Sequence, residues 1–261
     1  MVWKMLWRRE SQGEAAHGDC KISVIVPVLN EENAVEASIR SARRTSKANA
    51  KVEVIVVDGG SVDGTVKKAR SLGAKVVHSG RGRGVQQDKG SKAATGDLML
   101  FLHADSELPR GYDSILCNAV RSAEKLRDEK HIWGAFGELG IKLKGPLVRV
   151  IEFGVKARTR FLRMPYGDQC IFFHRRAYEE SGGYKHIPFM EDYDLVHRQR
   201  RRGIKPLVLG GKVTTSGRRW RDNGVIRVFL LNQIIILSWH LGISPQKLMN
   251  LYYSNKRNKS E

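Results

Sequence analysis

Apolar residues in the first half of this chain come in short unbroken runs, each followed by polar residues. Lys21-Ile-Ser-Val-Ile-Val-Pro-Val28 is apolar and β-branched, and too short for a typical helix, so it predicts a buried strand. Glu31 to Arg44 follows as a helix, with Asn30 placed to cap it. Val52 to Val57 predicts a second buried strand, ending in Asp58-Gly-Gly-Ser61. Asp63 then caps a helix reaching about Leu72. Ala74 to His78 is a third strand. A Gly/Arg loop, Gly80-Arg-Gly-Arg-Gly84, leads into a helix ending near Ala94, and Asp97 to Leu102 is a fourth strand, ending in His103-Ala104-Asp105. Strand and helix alternating over short connections predict an α/β fold, a mostly parallel central sheet with helices on both faces.

The second half is less regular. Trp133 to Leu143 alternates loosely and suits a strand, Pro146 to Arg163 a basic helix, and Cys170 to Phe173 a short strand. Arg175 to Ser181 reads as a helix, and Phe189-Met-Glu-Asp-Tyr-Asp194 opens another that ends at Gly203. Lys205 to Leu209 reads as a strand, with Gly210-Gly211 turning the chain. Val225 to Leu241 is strongly apolar and helical, and Pro245 starts a second short helix.

In open parallel sheets ligands bind beyond the carboxyl ends of the strands. Asn30, Glu31, Asp58, Ser61, Asp63, Arg81, Arg83, His103 and Asp105 all follow strands, so they converge on one crevice. Arg81 and Arg83 sit among glycines, where backbone approaches a ligand closely and guanidinium binds phosphate in bidentate fashion.

Four segments carry a resemblance. Ile25-Val-Pro-Val-Leu-Asn-Glu-Glu32, Val57-Asp-Gly-Gly-Ser-Val-Asp-Gly-Thr65, Gly96-Asp-Leu-Met-Leu-Phe-Leu-His-Ala-Asp105 and Met190-Glu-Asp-Tyr-Asp-Leu195 come in the order and spacing of family 2 glycosyltransferases with the GT-A fold. The chain resembles most a bacterial-type subgroup with His-Ala-Asp at the metal motif. The likeness covers roughly residues 21–220. It implies a leader or linker over 1–20, a catalytic domain over 21–222 (nucleotide-binding half 21–105, acceptor half 106–222) and a C-terminal helical segment over 223–261.

The resemblance implies an inverting, metal-dependent transferase that uses a UDP- or GDP-linked sugar and an acceptor hydroxyl. Manganese or magnesium would hold the departing diphosphate, and hard cations take carboxylate oxygens. Asp105, just past a buried strand, is the implied metal ligand. Relatives carry an aspartate where His103 stands, so His103 is left to touch the sugar, touch a metal-bound water or pack. Pro27, Asn30, Glu31 and Asp58 would border the base and ribose, although Asp58 also suits a turn before two glycines. Asp192 would be the base that deprotonates the acceptor, with Glu191 bracing it or touching the acceptor and a helix N-terminus favouring the ionised form. Asp168, in Gly167-Asp-Gln169, would contact the sugar. Relatives place a late histidine on the metal; here Thr214-Thr-Ser-Gly-Arg-Arg-Trp220 has none, and Arg218 or Arg219 would clamp the diphosphate instead. Trp220 would stack on a sugar or anchor its loop.

Charge adds a second theme. Lys plus Arg is 46 against 27 Asp plus Glu, a net of +19 over 261 residues. Such a field attracts polyanions: nucleic acid, anionic lipid or phosphorylated small molecules. Nine basic residues and no acidic one lie between Arg198 and Arg221. No nucleic-acid module with interleaved aromatics is present, so a nucleic-acid partner is not expected. A sugar-phosphate nucleotidyltransferase is the enzyme alternative, but it calls for a Gly-rich loop after the first strand. Cys20, Cys117 and Cys170 are few, scattered and odd in number, which predicts unpaired thiols and a cytoplasmic or other reducing compartment. The N-terminal Met1 to Arg9 lacks the apolar core of a secretory signal; organelle targeting stays open. Val225 to Ile243 approaches the length of a membrane span, but Arg227, Asn232, Gln233 and His240 make it a poor one. It either packs on the catalytic domain or lies in a bilayer interface, a peripheral contact at most.

Overall fold

The computed structural model describes residues 20–45 and 50–257. Strand β1 (Cys20–Val28) leads to helix α1 (Val35–Arg43), β2 (Ala50–Asp58) to α2 (Thr65–Ser71), and β3 (Lys75–His78) to α3 (Arg83–Ala93). Then follow β4 (Leu98–Phe101), β5 (Ser106–Glu107), α4 (Tyr112–Glu124) and β6 (Trp133–Lys142). Helix α5 (Pro146–Ala157) continues into a π turn at Arg158–Leu162, and a 3-10 turn at Gly167–Gln169 precedes β7 (Phe172–His174). The remaining elements are α6 (Arg175–Glu180), α7 (Glu191–Arg201), β8 (Leu207–Ser216), α8 (Arg218–Asn223), α9 (Val225–His240) and α10 (Pro245–Arg257).

These strands form an eight-stranded sheet in the order β3-β2-β1-β4-β7-β6-β8-β5. The first four are mutually parallel, β7 runs antiparallel to β4 and β6, and β8 is parallel to β6. The apolar runs are continuous because both faces of the sheet are covered. Val24, Val26, Val54, Val56 and Leu100 belong to one hydrophobic cluster, with Val35 and Ile39 of α1 and Leu116 of α4. The intervening Ile25, Ile55, Val57, Met99 and Phe101 belong to the other, with Leu195 and Val196 of α7, Ile235 of α9 and Leu248 of α10. Alternate side chains on a strand point to opposite faces, so one apolar run feeds two cores.

Four sequence expectations are corrected. Asn30 does not cap α1: the helix starts at Val35 after a turn, and Asn30, at φ 54°, instead accepts the Val62 N–H on its Oδ1 at 2.9 Å. Arg83 is the first residue of α3 rather than part of the preceding loop. Gly210-Gly211 does not turn the chain. β8 runs through both, and a register shift opposite Phe136–Glu138 absorbs the extra residue, since β6 supplies backbone partners on either side. Finally, Cys20 and Cys117 form a disulfide between β1 and α4, and only Cys170 is a free, buried thiol among the described residues. This pairing removes the cysteine argument for a reducing compartment.

No helix among the described residues is long and apolar enough to cross a membrane. Helix α9 buries Val228 and Ile235 but leaves Ile226, Leu230 and Leu237 exposed.

Candidate active site

The crevice begins where the loops after β1 and β2 are stitched together. Asn30 N–H donates to Ser61 Oγ at 2.9 Å, and Glu31 N–H donates to Thr65 Oγ1 at 2.8 Å. Asp58, 3% exposed at the end of β2, accepts from the backbone N–H groups of Gly60 (3.2 Å) and Ser61 (3.0 Å) and faces His78 Nδ1 at 3.3 Å. Burial pushes its pKa up, but the hydrogen bonds from Ser61, Gly60 and His78 outweigh it and hold the carboxyl below its ordinary value. Pro27 lies buried within β1 opposite Val57, beneath this loop pair rather than on its surface. Arg81 is exposed on the loop before α3.

Glu31 turns towards α8. Both of its carboxylate oxygens lie 3.4 Å from Arg218 Nη2. Burial raises its pKa and the charge of Asp105 adds to that, while Arg218 and Arg83 oppose it. The loop after β1 and the start of α8 thus share one electrostatic neighbourhood with Asp105, although Glu31 and Arg218 stand 187 residues apart.

At the centre, the 3-10 turn at Gly167 meets the N-terminus of α7. Gly167 N–H donates to Asp192 Oδ2 at 2.8 Å, and Asp192 Oδ1 accepts the Tyr193 N–H at 2.8 Å. A Cβ on Gly167 would lie 2.7 Å from Asp192 Oδ2 and 3.1 Å from His103 Nε2, so this glycine is the space between the two side chains. Gly84, in the first turn of α3, is pressed just as closely on the Lys185 carbonyl, where a Cβ would sit at 2.2 Å, with Glu191 Cβ at 3.5 Å. That contact brings Arg83 over the acidic end of α7.

The electrostatics follow from this crowding. Glu191, 5% exposed, is pushed up to about 7 by burial and by the adjacent Asp192, against the pull of Arg83. Asp168 is pushed up to about 6 by burial, with Asp192 and Asp105 adding and Arg158 opposing. His103 is driven down to about 4 by burial and by Arg83, despite Asp105 and Asp192, and is therefore neutral at pH 7. Arg83 keeps substantial accessible area at the mouth of the crevice. Desolvation lowers its pKa, but the charges of Glu191, Asp192 and Asp105 more than offset that and secure its positive charge.

A divalent cation fits this set of donors. Asp168 feels the charges of Asp192 and Asp105, all three are hard oxygen donors, and Asp168 Oδ1 is buried without a hydrogen-bond partner. Among the described residues the one group of three such side chains whose ligand atoms lie within 4.8 Å of one another, Glu124, Glu129 and His174, is at the opposite end of the sheet, since His174 pairs with Leu98 at the start of β4. There His174 Nδ1 accepts the Arg176 N–H, which leaves the proton of the neutral ring on Nε2, facing Glu129, and no lone pair for a metal.

Three contributors lie outside the four segments that carry the resemblance. Tyr252 of α10 lies under the Arg219 guanidinium, 3.5 Å from the ring centroid, and packs on Phe189 at 4.5 Å between centroids. Tyr253 faces Arg83 and Arg219 electrostatically. Burial, with the like charge of Arg83, lowers Arg219 to about 10, against the opposing influence of Tyr253. Arg158 spans the 3-10 turn by donating to Gln169 Oε1 at 2.8 Å while its guanidinium covers Tyr166 at 3.4 Å. The one available signal was the aromatic pair Tyr252-Tyr253 in the last helix. Trp220 packs against the first hydrophobic cluster.

A parallel half-sheet with an acidic crevice at its carboxyl edge, extended by antiparallel strands and faced by arginines, is the architecture of GT-A enzymes. The mannosyltransferase from Pyrobaculum calidifontis, solved with GDP-Man and Mn2+, superposes with a TM-score of 0.55 at 21% identity, over 76% of this chain and 57% of that one. Glucosyl-3-phosphoglycerate synthase from Mycobacterium tuberculosis, solved with Mn2+, UDP and phosphoglyceric acid, gives 0.51 at 20% identity over 90% and 78%. At such identities the likeness is one of fold. Residues 23–126 match the family model Glycosyl transferase family 2. Glucosyl-3-phosphoglycerate synthase from Petrotoga mobilis is 34% identical over 100 residues, 34% of this chain and 31% of the relative. The chain thus matches about a third of the length of that curated relative.

Proposed function

We propose that this protein transfers a sugar, with inversion, from a UDP- or GDP-linked donor to the hydroxyl of an acceptor. The observation that carries the reading is the meeting of Asp105, Asp168, Glu191 and Asp192 beneath Arg83, at the carboxyl edge of the sheet.

In this reading the stitched loops of Asn30, Glu31 and Asp58, with Pro27 beneath them, receive the nucleoside. Asp58, fixed by the backbone of Gly60 and Ser61, accepts from base or ribose. Arg83 and Arg219, with Arg218 and the outlying Arg81, face the diphosphate. Asp105 and Asp168 would hold Mn2+ or Mg2+, which when bound neutralises the leaving diphosphate. The acceptor oxygen bonds to the anomeric carbon as the bond from that carbon to the phosphate oxygen breaks. Asp192, its two oxygens oriented by Gly167 and Tyr193, takes the hydroxyl proton. Glu191 sets the field around that carboxylate, and neutral His103 is free to donate or accept a hydrogen bond at the sugar. Trp220, anchored in the core, holds α8 so that Arg218 and Arg219 face the crevice.

The test is a screen of nucleotide sugars for thermal stabilisation with and without manganese. A UDP- or GDP-linked sugar should raise Tm in the presence of metal, and EDTA should remove the effect. Stabilisation by no nucleotide sugar, or by free nucleoside triphosphate with sugar phosphate instead, would overturn the reading.

A further inference from the structure

Helices α5 and α9 touch each other, and both are apolar on the side turned away from the protein. On α5 and its π turn, Leu147, Val150, Phe153, Phe161 and Leu162 are exposed, Phe153 by 72% and Phe161 by 77%. On α9, Ile226, Phe229, Leu230, Ile234 and Leu237 are exposed, while Val228 and Ile235 point inward. A helix in water normally keeps one apolar stripe, and it faces the core. Here the inward stripes are satisfied, and second stripes of large side chains lie open on the neighbouring helices. Isolated apolar residues on a surface are ordinary, but a set this large on adjoining helices marks an interaction face.

The charge around these stripes says what the face fits. Residues 143–163 carry a single acid, Glu152, whose Oε1 accepts the Ile141 N–H; Lys156 pairs with Glu138 at 2.7 Å and Arg158 turns in to Gln169, which leaves Lys144, Arg149, Arg160 and Arg163 around the stripe. From Gly224 to Arg257 there is no Asp or Glu at all. Apolar side chains set among cations, with almost no anions, match an anionic bilayer interface, where side chains enter the acyl boundary and Lys and Arg meet the headgroups. A second copy of this chain fits poorly, because a symmetric contact would bring two cationic faces together. Nucleic acid would satisfy the cations but leave the phenylalanine and leucine side chains without partners. Helix α9 has 16 residues and cannot span, so the contact is one of lying on the surface.

We propose that the exposed faces of α5 and α9 form a docking surface for an anionic lipid bilayer.

The experiment is flotation of the full chain with phosphatidylcholine vesicles, with and without phosphatidylglycerol. It compares the wild type with two charge-neutral double variants, Phe153→Ser/Phe161→Ser and Leu230→Ser/Leu237→Ser. The four side chains are exposed, so the melting temperature should hold, and an unchanged melt confirms intact folding. The wild type should float with the phosphatidylglycerol vesicles at low salt and much less with phosphatidylcholine alone. Each double variant should lose about tenfold or more of its partitioning, the scale expected for two apolar side chains withdrawn from the interface. Wild type that stays unbound would overturn the proposal. So would variants that bind as tightly as wild type, which would place the contact elsewhere, as on another basic face. Sedimentation equilibrium without lipid closes the alternative: a dimer that the serine substitutions dissociate would assign the face to self-association instead.

Discussion

Gly167→Ala isolates the geometry on which the proposed chemistry depends. The added methyl would stand 2.7 Å from Asp192 Oδ2, 3.1 Å from Asp192 Cβ and 3.1 Å from His103 Nε2. Ordinary contact begins at 3.4 Å, so the carboxylate would have to retreat by about 0.7 Å. The hydrogen bond it accepts from Gly167 N–H, now 2.8 Å, would then stretch past the ~3.2 Å normal for such bonds. Asp192 would keep its charge but lose the donor that aims it. A misplacement of about 1 Å costs on the order of 10²-fold in rate, so this somewhat smaller shift should lower kcat by roughly tenfold to a hundredfold. That corresponds to about 1.4–2.7 kcal/mol of transition-state stabilisation. The loops around Asp58 are untouched, so donor affinity should hold. The assay is release of nucleoside diphosphate from the stabilising nucleotide sugar, with donor binding followed by calorimetry and folding by a thermal melt. An unchanged kcat would refute the claim that Gly167 sets the position of Asp192. Loss of donor binding in step with kcat would show that the turn serves the donor instead.

Asp105→Ala should abolish manganese-dependent donor binding while leaving the melt intact; calorimetry showing metal-dependent binding in the variant would remove Asp105 as ligand. Asp192→Asn should lower kcat by about two or more orders of magnitude, the scale of general-base loss, with donor affinity nearly unchanged; a parallel loss of donor affinity would mark it as a donor ligand. Cys20→Ser/Cys117→Ser should cost about 2–4 kcal/mol in urea unfolding, because the disulfide closes a loop with a sequence separation of 97; a wild-type midpoint indifferent to reductant would contradict the pairing. Asp58 has a folded pKa below its ordinary 3.8, so its carboxylate stabilises the fold above its unfolded pKa, and that stabilisation is lost as pH falls through the folded value. Asp58→Asn should therefore flatten the acid limb of the Tm–pH curve, and an unaltered limb would show that the hydrogen bonds at Gly60 and Ser61 add no net stability.

Much of the parallel half-sheet is legible in the sequence. β1, β2 and β4 are announced by apolar runs, because a strand covered on both faces has no polar side to show, and their ends are announced by the polar residues that follow. Asp58, His103 and Asp105 were placed by that rule alone, and the helix opened by Glu191 and Asp192 was visible from its acidic first turn. These features depend on residues close together in the chain, and spacing encodes them directly.

What spacing does not encode is which distant groups meet. Nothing near Cys20 specifies Cys117, and nothing near Arg219 specifies Tyr252 or Arg83. Asn30 looked like a helix cap because caps are local, yet its amide satisfies the backbone of Val62 in another loop. Gly210-Gly211 looked like a turn because glycines favour turns, yet β6 offered a ladder of backbone partners that carried the strand through. The apolar helix at Val225 was readable as a helix, but only the packed structure decides which of its faces is inside. One face is closed by the core and the other is left to whatever surface the protein meets, because burial is a property of the assembled neighbours and not of the helix itself.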